Sequence, residues 1–173
     1  MDKLKIVSEL NVLFESKNKR YLICWDLMGT IWDTYKYKLI DGAEKEFKKL
    51  SNKYNVDHRL ISIVKPDKLK KRQDLVNGIK HMFDQTLILP GKAKEPKHFI
   101  DSKYDTVFVI GDRPSREIQA GNKAKAITIL VQDPKVSKRA GERPKNKLEK
   151  PDHHRVKLVG KGGVFELLAE LMS

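Results

Sequence analysis

Apolar residues recur along the chain in two periods, and their alternation sets the expected fold. Leu4, Val7, Leu10, Leu13 and Phe14 fall at helical spacing and predict an amphipathic leading helix within residues 1–19. The run RYLICW, residues 20–25, reads as a buried strand. After Gly29–Thr30, the alternating IWDTYKYKLI predicts a short hairpin. Ala43, Phe47 and Leu50 at i, i+4, i+7 mark a helix with one apolar stripe. HRLISIV, TLIL, DTVFVIGD and AITILV read as further strands. The segments DKLKKRQDLVNGIKHMF, with Asp67 as N-cap, and SREIQAGNKAKA read as helices between them, and GVFELLAELM as a closing helix. Residues 132–155, with Pro134, Pro144, Pro151 and many charges, predict a long functional or mobile arm in which His153 and His154 are solvated. Strands alternating with helices imply βαβ units. The expected fold class is therefore α/β, a doubly wound, mostly parallel sheet of Rossmann type.

Composition narrows this picture. A chain of 173 residues fits one domain, residues 1–173, with a full-sized core. No run of eighteen apolar residues occurs, so no membrane span or membrane partner is expected. The N-terminus mixes charges with apolar residues instead of forming a signal-peptide core, which predicts a cytoplasmic location. Cys24 is the only cysteine, which excludes an intrachain disulfide, and its place inside an apolar strand makes it a core residue. The formal net charge of +13 predicts attraction to polyanions, meaning phosphorylated molecules or a nucleic acid. Residues 65–72 and 135–150 concentrate that charge, and both follow strands, so both leave from the carboxyl-end side of the sheet.

Two strands end in aspartate: Asp26 after LICW and Asp112 after VFVIG. In doubly wound sheets ligands bind beyond the carboxyl ends of the strands. If these strands are neighbours, both carboxylates converge in one crevice and suit Mg²⁺, which prefers few carboxylates and keeps several waters. A single strand-end aspartate is more often a turn or cap residue; the pair is more specific.

CWDLMGTIWDT resembles the first motif of the haloacid dehalogenase-like superfamily, an apolar strand followed by D-x-D-G-T. VFVIGDRPSREIQAGNKAKAITILV resembles the fourth, in which an aspartate, here Asp112, is followed five positions later by a second acid, here Glu117. PGKAKEPKHF is similar to the segment carrying the family lysine, which is Lys92 or Lys94. The resemblance spans about residues 20–172 and implies a hydrolase. Asp26 would attack phosphorus and form an aspartyl-phosphate. Mg²⁺ would lie between Asp26, the backbone carbonyl of Met28 and Asp112, with Glu117 close by. The lysine would offset the gathered negative charge, and Thr30, Lys65 and Arg113 would meet the substrate.

Two positions depart from the pattern. Met28 stands where family phosphatases have the aspartate that protonates the leaving group, a loss worth ~10²–10⁴-fold in rate. Lys65 stands where a phosphate-binding Ser or Thr is expected. Dehalogenating and phosphonate-cleaving branches also lack the second aspartate, but they carry large caps, for which the segments after Thr30 and over residues 66–89 are too short. Asp33 is an alternative proton donor, with a structural role as the competing reading. The expected function is Mg²⁺-dependent phosphohydrolysis of a phosphorylated macromolecule or other large anion. The alternative is a weak or inactive domain that binds a polyanion or a protein.

Overall fold

The computed structural model describes residues 2–173, without the side chains of residues 11–18. Along the chain run α1 (Lys3–Asn18), β1 (Tyr21–Trp25), the hairpin strands β2 (Trp32–Asp33) and β3 (Lys38–Leu39), α2 (Ala43–Lys53) and β4 (Val56–Val64). There follow α3 (Leu69–Ile79), β5 (Gln85–Pro90), β6 (Thr106–Gly111), α4 (Gln119–Lys123), β7 (Ile127–Val131), β8 (His153–Arg155) and α5 (Val164–Met172). The six-stranded sheet has the order β5-β4-β1-β6-β7-β8, and every pairing in it is parallel. Strand order reverses direction at β1. The crevice between the carboxyl ends of β1 and β6 is thus the topological switch point, where sheets of this kind bind ligands.

Alternation along β1 divides the core in two. Tyr21, Ile23 and Trp25 pack with Phe47 of α2, Val76 of α3 and Leu168 of α5. Leu22 and Cys24 point the other way, onto Phe99, Val109 and Ala120 of α4. Covered on both faces, β1 is a continuous apolar run, as the sequence suggests. Burial among these side chains pushes the Cys24 thiol up to about 12.

The stripes of α2 and α5 are buried as their periods require. On α1 the helix forms, but Leu4, Val7 and Leu10 are exposed; the side chains of Leu13 and Phe14 lie outside those described. Asp67 is not an N-cap. Pro66 fixes its own φ and opens a 3₁₀ turn, Pro66–Lys68, which α3 continues from Lys68 with no side-chain cap. The helix after β6 begins as a π-turn, Pro114–Ile118, and only five residues follow in α form. Residues 132–155 do not form a loose arm. Gln132 N–H donates to Arg155 O, Asn122 Nδ2 donates to the carbonyls of Leu148 and Lys150, and Thr128 N–H donates to Asp152. His153 and His154 accordingly sit in β8, at the sheet edge. Only the β2–β3 hairpin lies between the Gly29–Thr30 turn and α2, and only α3 with its flanking turns between β4 and β5. Among the described residues there is no large cap domain.

Candidate active site

Trp25 lies level with Ile110 across the β1–β6 pair, and Asp26 N–H donates to Ile110 O at 3.0 Å. Asp26 therefore leaves the sheet beside the end of β6, next to Asp112. The chain then folds into a tight knot in which Leu27 O accepts from the N–H groups of Thr30, Ile31 and Trp32. Gly29 occupies the left-handed region at φ 80, and a Cβ there would come within 2.3 Å of Asp112 Oδ2. Only glycine allows both the turn and that approach. Gly111 on β6 permits a close approach alone, since a Cβ there would lie 2.6 Å from Cγ of Glu117. The π-turn after β6 returns Glu117 over that strand end.

One lysine ties these acids together. Lys94 Nζ lies 2.7 Å from Asp26 Oδ1 and 2.8 Å from Glu117 Oε1, with its side chain 1% exposed. Thr30 Oγ1 donates to the other Asp26 oxygen at 3.0 Å, and Ser137 Oγ donates to Asp112 Oδ2 at 2.5 Å. Burial pushes the Asp112 carboxyl up to about 8, aided by the charges of Asp26 and Glu117 and opposed by the Ser137 hydroxyl. Burial and Asp26 likewise raise Glu117, against the pull of Lys94. Burial alone would lower Lys94, but Asp26 and Glu117 outweigh it and hold the ammonium above its ordinary value.

Asp26, Asp112 and Glu117 each place an oxygen within 4.8 Å of the others, and Glu117 Oε2 is buried without a partner. Ionising all three carboxylates beside one ammonium would leave negative charge uncompensated in a buried place. Hard oxygen donors, one of them orphaned, fit Mg²⁺.

The crevice encloses about 220 Å³, and Asp26, Met28, Lys94, Asp112, Arg113 and Glu117 line it, while Thr30 grips Asp26 from its buried side. Of the two candidate lysines it is Lys94 that reaches the acids; Lys92 lies in a neighbouring cavity. Lys65 lies there too, and does not line the crevice with Asp26. The β1–β4 register explains this: Trp25 is level with Leu60, so Ile61 is level with Asp26 and Ser62 is the hydroxyl at the crevice. Ser62 Oγ accepts from Arg72 at 2.5 Å. The signal was present as the serine within HRLISIV, but the sequence alone does not give the register. Thr34 and Ser137 escaped the sequence reading as well, whereas Arg72, Lys138 and Arg139 belong to the basic stretches 65–72 and 135–150 expected on this side; all but Ser137 line the crevice. Asp33 faces its own turn, where Oδ1 accepts from Tyr35 and Lys36 N–H, and it does not line the crevice. His153 lies in a separate depression beside Asn122 and Ile127.

Known structures share this architecture. An uncharacterized protein from Listeria monocytogenes serotype 4b matches with a TM-score of 0.55 and 17% identity, over 78% of this chain and 89% of that one. A hydrolase from Streptococcus pneumoniae TIGR4 matches with a TM-score of 0.51 and 16% identity, over 64% and 91%. D,D-heptose 1,7-bisphosphate phosphatase from Burkholderia thailandensis matches with a TM-score of 0.50 and 13% identity, over 75% and 94%. The fold is haloacid dehalogenase-like. No protein-family model matches the sequence, and no curated protein does. Among the described residues, no helix is long and apolar enough to cross a membrane.

Proposed function

We propose that this chain is an Mg²⁺-dependent phosphohydrolase acting through Asp26 on a phosphorylated macromolecule. The observation that carries this reading is the buried Asp26–Lys94–Glu117 bridge beside Asp112, at the switch point of a haloacid dehalogenase-like sheet. The named phosphatase and hydrolase among the structural neighbours support it at the level of the fold.

Asp26, Asp112 and Glu117 would hold the metal ion, which when bound offsets phosphate charge near the nucleophile. Lys94 fixes the Asp26 carboxylate through one oxygen and Thr30 fixes it through the other, so the group is oriented before substrate arrives. An Asp26 oxygen forms the new bond to phosphorus as the bond from phosphorus to the leaving oxygen breaks. Water then attacks the aspartyl-phosphate and returns the carboxylate with release of inorganic phosphate. The leaving oxygen needs a proton in the first step, and the water must lose one in the second. Met28 can serve neither need, so solvent supplies and accepts these protons, which lowers turnover by ~10²–10⁴-fold against a site with a positioned acid. With no lid among the described residues, the crevice admits the end of a large substrate.

A second reading has its own observation. Among the described residues, apart from the acid trio and its cations, the only protic side chains lining the crevice are the hydroxyls of Thr34 and Ser62. That supports a domain whose site binds phosphate and turns over weakly or not at all. The assay is hydrolysis of an aryl phosphate with Mg²⁺ by the wild type, Asp26→Asn and Met28→Asp. Activity abolished in Asp26→Asn and increased in Met28→Asp is expected. An inert wild type with an active Met28→Asp would replace the first reading with the second. Silence in all three would remove the phosphohydrolase.

A further inference from the structure

The crevice adjoins a larger cavity of about 600 Å³. The two share a wall made by Ile63, Lys94, Arg113, Arg116 and Arg139. Lys65, Lys92 and Lys123 line the cavity beyond that wall, so with Arg116 and Arg139 five exposed cations surround it. Among the described residues none of these five pairs with a carboxylate, whereas Arg113 is held by Glu142 at 3.0 Å. Unpaired like charges around one concavity repel one another and raise the local concentration of anions. A single phosphoryl group at Asp26 would have Lys94, Arg72 and Lys138 of the crevice lining to meet it. The five outer cations are therefore placed for further anionic groups on the same molecule.

The mouth of the crevice carries a different chemistry. Tyr35 and Tyr37, on the hairpin turn, are 58% and 44% exposed. Lys138 Nζ lies 5.8 Å from the Tyr35 ring centre, and Lys71 Nζ lies 4.8 Å from that of Tyr37. Lys138 and Thr34, which precedes Tyr35, both line the crevice, so the rings stand at its edge. Exposed aromatic faces beside a cationic groove are how proteins hold single strands: bases stack on the rings and the backbone follows the charge. A phosphoprotein offers no series of flat rings. A duplex keeps its bases stacked on one another, and polyphosphate has none.

We infer that the cavity and the two tyrosines form an extended subsite for the single-stranded end of a nucleic acid. Its terminal phosphate reaches Asp26, the next phosphates lie along Lys65, Lys92, Arg116, Lys123 and Arg139, and a base stacks on Tyr35 or Tyr37. The placement of the terminal phosphate rests on the proposed function; the strand-binding surface does not.

The test uses the full chain carrying Asp26→Asn, so that binding is read without turnover. Fluorescent single strands of about eight nucleotides, bearing a 5′-phosphate, a 3′-phosphate or neither, are titrated by anisotropy over a range of salt. Binding should weaken linearly on a log–log scale, with one phosphorylated end bound more tightly than the bare strand. Adding Lys92→Gln and Lys123→Gln should reduce the salt slope by about 1.4, two phosphates at ~0.7 each, and Lys92→Arg with Lys123→Arg should restore it. Adding Tyr35→Ala and Tyr37→Ala should weaken the strand about tenfold or more while competition by inorganic polyphosphate stays unchanged. An unchanged slope in the lysine variant, no loss in the tyrosine variant, or equal binding of a duplex would each overturn the inference. Aryl phosphate hydrolysis by the wild type is scored separately. Strand binding without hydrolysis removes the enzyme and keeps the subsite, and hydrolysis without strand binding does the reverse.

Discussion

His58, on β4 directly behind the strand that delivers Asp26, should make the fold sensitive to mild acid. Trp25 Nε1–H donates to His58 Nδ1 at 3.1 Å, so that nitrogen carries no proton. The proton sits on Nε2 and is donated to Ser51 Oγ at 3.2 Å. Protonating the ring would set an N–H against the indole N–H within an aromatic cluster of Trp25, Phe47 and Phe165. Burial accordingly lowers His58 from 6.5 to about 4, against a weak opposing pull from Asp57. Because the folded value lies below the unfolded one, the neutral ring contributes stability that is present above about pH 6.5 and is lost as pH falls towards 4. At 1.36 kcal/mol for each pH unit the full loss is about 3 kcal/mol. Between about pH 7.5 and about pH 5 it is roughly 2 kcal/mol. Asp112 acts in the opposite sense, since its raised carboxyl takes up a proton in the folded state over part of the same range. Only the difference between wild type and His58→Gln isolates the imidazole. Urea unfolding of both at the two pH values should show the wild type losing about 2 kcal/mol more than the variant. Equal losses, or a His58 ring that titrates near 6.5 in the intact fold by NMR, would refute the reasoning.

Three further outcomes are expected. Gly29→Ala forces a Cβ at φ 80 against Asp112; it should cost about 1–2 kcal/mol for the left-handed backbone alone and abolish hydrolysis by displacing that carboxylate, read by thermal unfolding and the aryl phosphate assay. Lys94→Met leaves Asp26 and Glu117 buried without their cation and should cost about 3–5 kcal/mol in urea unfolding, part of it recovered on adding Mg²⁺. Mg²⁺ at 100 times its dissociation constant should stabilise the wild type by about 2.7 kcal/mol and do so much less in Asp112→Asn; a melting temperature indifferent to the ion would remove the metal from the site.

Residues with local signatures were legible in the sequence. The apolar run before Asp26, the Gly29–Thr30 turn and the VFVIGD strand each fix their own geometry; that β1 and β6 are neighbours was a condition in the sequence and is given by their pairing in the sheet. What stayed hidden depends on register and on distant packing. Ser62 required the β1–β4 alignment, and the choice between Lys92 and Lys94 required the path of the loop after β5. Ser137 sits in a segment whose prolines and charges read as an unfixed arm, yet Val136 and Ser137 are buried and β8 follows. The side-chain hydrogen bonds that dock this segment leave no period in the sequence. On α1 the helical period was correct, but Leu4, Val7 and Leu10 remain exposed, since period reports a face and not a neighbour.

The hydrogen bond from Ser137 to Asp112 reaches beyond the crevice. It favours the ionised carboxylate, and so would any cation gathered by Asp26, Asp112 and Glu117. By reciprocity, a cation that charges Asp112 tightens the grip on Ser137, and an undocked segment weakens the hold on the cation. The stretch from Asp133 to Arg139, which also presents Lys138 and Arg139, thereby becomes a reporter of occupancy. Its amide protons should exchange with solvent more slowly when the acids are filled, at positions that no bound ion touches.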